Sequence, residues 1–300
     1  MSSVPKLSIV FLNYNRLHET RYTLEHLHEL LAARPQADIE VIAVDNDSHD
    51  GTGAYLETQR DWMQPILLDS NTGIAGYNHG FKQAQGDYIL VLDDDSHPVD
   101  NRCLDRLIER LDNHPDIGAI ACRIEDTQGN IAHSWHLPES EQPCPSLAFV
   151  GCGFAIRREL FAKVGWYPEE FFLYQNEIEV AIRVLCEQSQ IYYDPECHVV
   201  HRQSPIGRGN WRRVYYPTRN TIWIIRRYCP FPIAAYFIAS RLFFGLIRAV
   251  QTREWRWYFQ AVKESFTAPI QRHILPPVLR KHLRVFWQQN SVFHHFIEHL

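Results

Sequence analysis

GDYILVLDDDSHPVD, residues 86–100, decides the fold. Five apolar or aromatic residues, Tyr88 to Leu92, run straight into Asp93, Asp94 and Asp95. An unbroken apolar run of this length fits a strand buried on both faces. Three carboxylates at its end repel one another unless something positive sits among them, and a divalent cation with phosphate ligands meets that need.

Other runs of the same kind precede it. KLSIVFLNYNR reads as a first strand over residues 7–12 ending in a polar turn, and residues 39–44 form a second strand ending in Asp45 and Asn46. Leucines at helical spacing over residues 17–33 separate the two. A helix beginning over residues 51–60, a short strand in PILLDS and the glycine-punctuated turn NTGIAGYNHG follow. After the aspartates come a helix over residues 101–112 and a strand over 117–124. Strands alternating with helices predict an α/β fold with a doubly wound, mostly parallel sheet. Such sheets bind ligands beyond the carboxyl ends of their strands. Three polar clusters fall there: Asn13–Asn15, Asp45–Asp50 and Asp93–Asp95.

Bulk properties narrow the function. The 300 residues are 45% hydrophobic, enough for one large core with a helical annex, and a net charge of −5 does not suggest a nucleic-acid binder. Charge is uneven: six arginines and no acidic residue lie between Gln203 and Arg227, which suits a phosphate-bearing ligand or an anionic membrane surface. Seven cysteines without a CxxC pair read as reduced cytosolic thiols, and the N-terminus shows no signal-peptide pattern. Residues 231–250 are strongly apolar but interrupted by Arg241 and Arg248, so an interfacial helix fits better than a membrane span. A cap on the core or a homodimer face gives much the same pattern. His294, His295 and His299 offer metal ligands but read first as surface or packing residues.

Motif absences help too. There is no Walker glycine–lysine loop, no GxGxxG after the first strand and no GxSxG elbow, which disfavours P-loop kinases and serine hydrolases. The strand-end carboxylates, the glycine turn and a helix starting at Glu177 would suit a nucleoside diphosphate held through a metal, with a separate carboxylate as general base. Phosphatases, nucleases and plain binding proteins also use aspartate clusters.

The ordered set SIVFLNYNR (8–16), VIAVDNDSHDGT (41–52), NTGIAGYNHGFKQAQGDYILVLDDD (71–95), GCGFAIRRELFAKVGWYPEEFFLY (151–174) and NEIEVAIR (176–183), with His201 and Arg219–Asn220 after it, resembles the inverting family 2 glycosyltransferases of GT-A fold. It is most similar to their rhamnosyltransferase-like branch. The resemblance implies a glycosyltransferase domain over residues 1–228, with a nucleotide-binding half to about 125 and an acceptor-side half from about 126. An amphipathic helical region then covers 229–300. It implies that Asn13, Tyr14, Asp45, Asn46, Gly76, Asn78, Asp93 and Arg219 line the donor site, with Arg219 contacting phosphate or pinning a lid over residues 202–215. It implies that Asp95, Asp93 and His201 hold Mg²⁺ or Mn²⁺, Asp95 directly, while Asp93 holds ribose or a metal-bound water. The family usually carries Glu-Asp where this chain has Asn176 and Glu177, so Glu177 takes the place of the catalytic base. The implied partners are a nucleoside-diphosphate sugar and a glycan or polyprenyl-linked acceptor, in the cytoplasm or at the inner face of the plasma membrane. Two rivals stand beside this reading: a sugar-nucleotide-binding protein that no longer catalyses transfer, and a nucleotidyltransferase, which the absence of a glycine–arginine loop near the first strand disfavours.

Overall fold

The apolar runs assemble side by side. In the computed structural model, which describes residues 4–32, 34, 38–132, 136–204 and 209–283, β1 (Leu7–Asn13), β2 (Ile39–Asp45), β3 (Gln64–Leu67) and β4 (Tyr88–Asp93) pair in parallel in the order β3-β2-β1-β4. Between them lie α1 (Leu17–Ala32), α2 (Thr52–Glu57) and a 3₁₀ turn, Gly73–Gly76, that runs into α3 (Tyr77–Gln83). One face of these strands presents Ile9, Phe11, Leu90 and Leu92 to Leu24 and Leu27 of α1. The other face receives α3 so closely that a Cβ at Gly80 would stand 2.6 Å from Val10. Burial on both faces is why these strands show no polar alternation.

Beyond β4 the sheet changes character. β5 (Ser96–Pro98), α4 (Asn101–Asn113), β6 (Ile117–Glu125), β7 (Cys144–Ser146), β8 (Gly153–Arg157), α5 (Arg158–Val164), α6 (Asn176–Cys186) and β9 (Gln190–His201) follow in the chain. The sheet continues β4-β8-β6-β9-β5, with β7 on β9. β8 is antiparallel to both β4 and β6, whereas β9 is parallel to β6. The expected mostly parallel sheet is parallel in its first four strands and takes an antiparallel member, β8, beyond them. Parallel neighbours need a crossover connection, usually a helix, and the chain from β6 to β8 has no helix among its described residues, so β8 returns in the opposite direction.

The register levels the strand ends. Asn13 pairs with Asp45, and Leu12 with Asp93. All three polar clusters therefore emerge at one edge.

Two compact units divide the chain: Met1–Phe172 with Asn176–Ile206, and Leu173–Gln175 with Gly207–Leu300. The second contains α7 (Asn210–Tyr228), α8 (Ile233–Thr252), α9 (Trp255–Thr267) and α10 (Pro277–His282). Helix α7, expected to close an N-terminal domain at residue 228, packs with α8 and α9, because Val214 shares an apolar cluster with Ala249 and Tyr258. Gly245 lets α8 approach: a Cβ there would lie 2.9 Å from Thr218. Asn220 donates to the carbonyls of Leu173 and Tyr174 at 2.8 and 2.9 Å, which ties that short segment into the same unit. His294, His295 and His299 lie outside the described residues, as does Arg208 of the expected lid.

Candidate active site

The positive group among the aspartates is supplied by the chain itself. Arg16, just past β1, points one guanidinium nitrogen at Asp94 and holds Asp95 Oδ2 with the other at 2.6 Å. Asp95 is wholly buried and also accepts from the Ser204 N–H at 2.9 Å. Burial by itself would push its carboxyl up, but His201 and Arg16 hold it below the usual carboxylate range. Burial does win at Asp94, which is pushed well above its usual value despite Arg16. Arg16 belongs to no catalytic motif in the sequence. Its position at the same level as the three polar strand ends was the available signal.

This cluster makes a stability prediction. Arg16→Met leaves Asp95 buried with only part of its positive surroundings. Breaking a buried pair from one side costs about 3–5 kcal/mol. Urea unfolding of the variant should show a loss of that order, and Arg16→Lys should recover only part of it, since an ammonium lacks the fork that reaches two carboxylates. A loss under about 1 kcal/mol would show that Arg16 is dispensable.

His201, the last residue of β9, connects this buried network to an open one. Its Nε2 lies 3.2 Å from Asp95 Oδ1 and 3.9 Å from Asp93 Oδ2, and its Nδ1 lies 3.5 Å from Cys152 Sγ. Burial opposes the imidazolium, but Cys152, Asp95 and Asp93 together raise the pKa to about 11. Asp93 is the accessible carboxylate, with 36% of its side chain exposed. The Tyr77 hydroxyl stands 3.0 Å from Asp93 Oδ1. Ligand atoms of Asp93, Cys152 and His201 all lie within 4.8 Å of one another, a span one divalent ion can bridge. Asp95, expected to meet a metal directly, has Arg16, Ser204 and His201 around it, and the open position falls to Asp93. Cys152 carried no signal in the sequence beyond a cysteine between two glycines.

The other strand ends divide into scaffold and open positions. Asn13 is buried; it donates to the Val44 carbonyl at 3.0 Å and accepts from Thr20 at 2.9 Å. Asn46 donates to Asn71 and to the Gly73 carbonyl, and its oxygen accepts from the Thr72 N–H at 3.0 Å. Asn78 grips the Tyr167 backbone twice, at 3.0 and 3.1 Å. Gly76 has no room for a side chain, since a Cβ would fall 2.7 Å from Leu12. These four residues shape the site by holding the chain. Tyr14 is half-buried in the turn after β1. Asp45 is buried, accepts from the Ser48 N–H at 3.0 Å, and keeps Oδ1 without a hydrogen-bond partner among the described residues.

Glu177 occupies the first turn of α6, with 16% of its side chain exposed. Burial, with the Asp93 charge adding, raises its pKa from 4.5 to about 7. With the Asn176 amide turned to face the Glu177 N–H, its nitrogen donates to Glu177 Oε2 at 3.1 Å. His136 Nε2 stands 3.9 Å from Glu177 Oε1, and burial lowers that imidazole to about 4, so it is neutral beside the acid. No sequence motif marks His136. Arg219 belongs to the second unit. There it pairs with Glu264 at 3.3 Å, donates to the Tyr215 hydroxyl at 3.0 Å and lies over the Trp223 ring.

The model of glycosyl transferase family 2 matches residues 8–179. The O-antigen biosynthesis protein RfbC of Myxococcus xanthus is 25% identical over 235 residues, which are 69% of this chain and 18% of that protein. The probable glycosyltransferase YdaM of Bacillus subtilis is 22% identical over 261 residues, 80% of this chain and 60% of its own. The chain therefore spans less than two thirds of the length of either relative. Among solved structures, mannosyltransferase PcManGT from Pyrobaculum calidifontis, in complex with GDP-Man and Mn²⁺, has a TM-score of 0.60 at 16% identity, covering 88% of both chains. S. aureus TarS 1–349 in complex with UDP has a TM-score of 0.63 at 17% identity, covering 95% of this chain and 86% of that one. At such identities the likeness carries the fold alone: a GT-A-like mixed sheet flanked by helices.

Proposed function

The chain belongs to glycosyl transferase family 2, and on that premise we propose that it moves a hexosyl or deoxyhexosyl group from a nucleoside-diphosphate sugar to an acceptor hydroxyl with inversion. The observation that carries this reading is the pairing of two carboxylates with different surroundings. Asp93 is open beside His201 and Cys152, and Glu177 is a half-buried acid raised to about 7. Environments that separate two acids in this way separate their roles.

Glu177 takes the proton from the acceptor hydroxyl. The freed oxygen forms its bond to the anomeric carbon as the bond to the diphosphate breaks on the opposite face, and the nucleoside diphosphate leaves with both electrons. Asn176 orients the Glu177 carboxyl, and neutral His136 leaves it without a competing cation. Asp45, with its buried open acceptor, suits an imide N–H of a base. Asp93 would hold a divalent cation, and His201 would join it once the cation displaces the imidazolium proton, with Asp95 fixing the ring. A bound Mg²⁺ or Mn²⁺ would neutralise the diphosphate and stabilise it as it departs. A carboxylate with an imidazole favours Mn²⁺ of the two, since Mg²⁺ prefers oxygen ligands throughout.

The rhamnosyltransferase-like resemblance supports a dTDP-deoxyhexose donor, with UDP-hexoses as the alternatives. The O-antigen name of the Myxococcus relative supports a growing polysaccharide or its polyprenyl-linked precursor as acceptor. Calorimetry with a panel of nucleotide sugars, with and without Mn²⁺, tests the donor. One donor should bind only with metal, and incubation with acceptor should yield nucleoside diphosphate and a glycoside of inverted configuration. Binding of no nucleotide sugar would overturn the transferase reading. A retained configuration would overturn single displacement.

A further inference from the structure

Charge is segregated along this chain far beyond the one arginine-rich stretch. Residues 207–300 carry 15 lysines and arginines against three acidic residues, while residues 1–206 carry 15 against 32. A protein with a net charge of −5 thus contains a strongly basic unit.

Within that unit the usual distribution of apolar side chains is inverted. α8 packs inward through Ala234, Ser240, Gly245 and Ala249, with Phe237 the one large residue among its buried positions. Its larger residues face outward: Tyr236, Phe243, Ile247 and Val250 are each 38–49% exposed and recur at helical spacing. α9 repeats the arrangement. Tyr258, Ala261 and Ser265 are buried, whereas Trp255, Phe259 and Phe266 are exposed, Phe259 by 61%. A helix pair folded only for water would turn these residues in.

The exposed charged residues of α8, α9 and the turn between them are one-sided. Arg248, Arg253, Arg256 and Lys263 are exposed. Among the described residues of the unit the acids are Glu254 and Glu264, and neither is exposed. Glu264 is engaged by Arg219 and the Tyr215 hydroxyl.

We propose that the outward faces of α8 and α9 form a docking surface for an anionic phospholipid bilayer, with both helices lying in the headgroup region. Aromatic and aliphatic side chains enter the acyl boundary, and the flanking arginines meet lipid phosphates. A second copy of the chain is a poor occupant, because self-pairing would bring like charges together. α8 has the length and composition to cross a bilayer, at 20 residues with a mean hydropathy of 1.6. Its inner face is already packed on α7 and α9 through Gly245, Thr218 and Tyr258, which argues for lying along the surface.

The test needs neither donor nor acceptor, so it stands or falls apart from the proposed transferase activity. The full chain is sedimented with vesicles of phosphatidylcholine alone and of phosphatidylcholine with phosphatidylglycerol. Binding should be at least tenfold tighter to the anionic vesicles, weaken as salt rises from 0.05 to 0.5 M, and be released by alkaline carbonate. Arg248→Glu with Arg256→Glu should lower it by tenfold or more. Phe243→Ser with Phe259→Ser should do the same without loss of helical circular dichroism. Three results would overturn the proposal: equal binding to both vesicles, retention through the carbonate wash (a spanning helix), or no vesicle binding with a stable dimer in solution.

Discussion

Glu177→Gln should abolish turnover while leaving donor affinity within a few-fold of wild type. General-base assistance is worth about 10²–10⁴ in rate, and the amide keeps the shape of the side chain. The wild-type pH profile should carry the same signature. The base acts deprotonated, so kcat/KM should rise through about pH 7, where burial and the Asp93 charge have placed Glu177. The residual activity of the variant should lack that limb. Stability should move the other way. A carboxyl raised from 4.5 to about 7 by the fold adds stability below the unfolded value and loses it as pH rises through the folded one. Above pH 7 the wild type holds a buried charge that the Gln variant lacks, so the variant should be more stable there, by about 1–3 kcal/mol at 1.4 kcal/mol per unit of pKa. Full turnover in the variant would remove Glu177 from the mechanism.

Asp93→Asn should lower metal-dependent donor affinity by about 100-fold or more, above the 10–100-fold typical of groups that only orient a ligand. Asp93 is the informative position. Its side chain is partly exposed, and an Asn oxygen can still receive the Tyr77 hydroxyl, 3.0 Å from the carboxylate. The same experiment on Asp95 would confound binding with folding, because Asp95 is wholly buried against Arg16 and the Ser204 N–H. Chelation of wild-type protein should reproduce the Asp93→Asn loss, and chelation should add nothing to the variant. Donor binding indifferent to both would leave the cluster without a metal role.

Much of this site is legible in the sequence because strand ends announce themselves. An apolar run that stops at Asp93, and another that stops at Asp45, give both the strand and its edge, and parallel pairing then brings the ends level. Glu177 is legible as a helix start. What sequence does not carry is which polar atoms are already occupied. Asn46 and Asn78 look like ligand-binding residues from their place in polar turns, yet their amides close on Thr72, Gly73 and the Tyr167 backbone. Arg16 and His136 reach the site through folding: Arg16 meets Asp94 and Asp95 across 78 and 79 residues of chain. The antiparallel entry of β8 is illegible in the sequence for a related reason. Strand direction depends on the connection, and the chain before β8 has no periodic pattern to reveal it.

The asparagine ties also bear on how this protein could be re-engineered. Asn13, Asn46 and Asn78 are fastened to the chain's own backbone in three places, so a mutational library at these positions would be sorted by expression yield and solubility. Among the described residues Tyr14 shows no such tie, and Asp45, although its Oδ2 takes the Ser48 N–H, keeps Oδ1 open. A library meant to change the preferred nucleotide should diversify that pair and hold the asparagines constant.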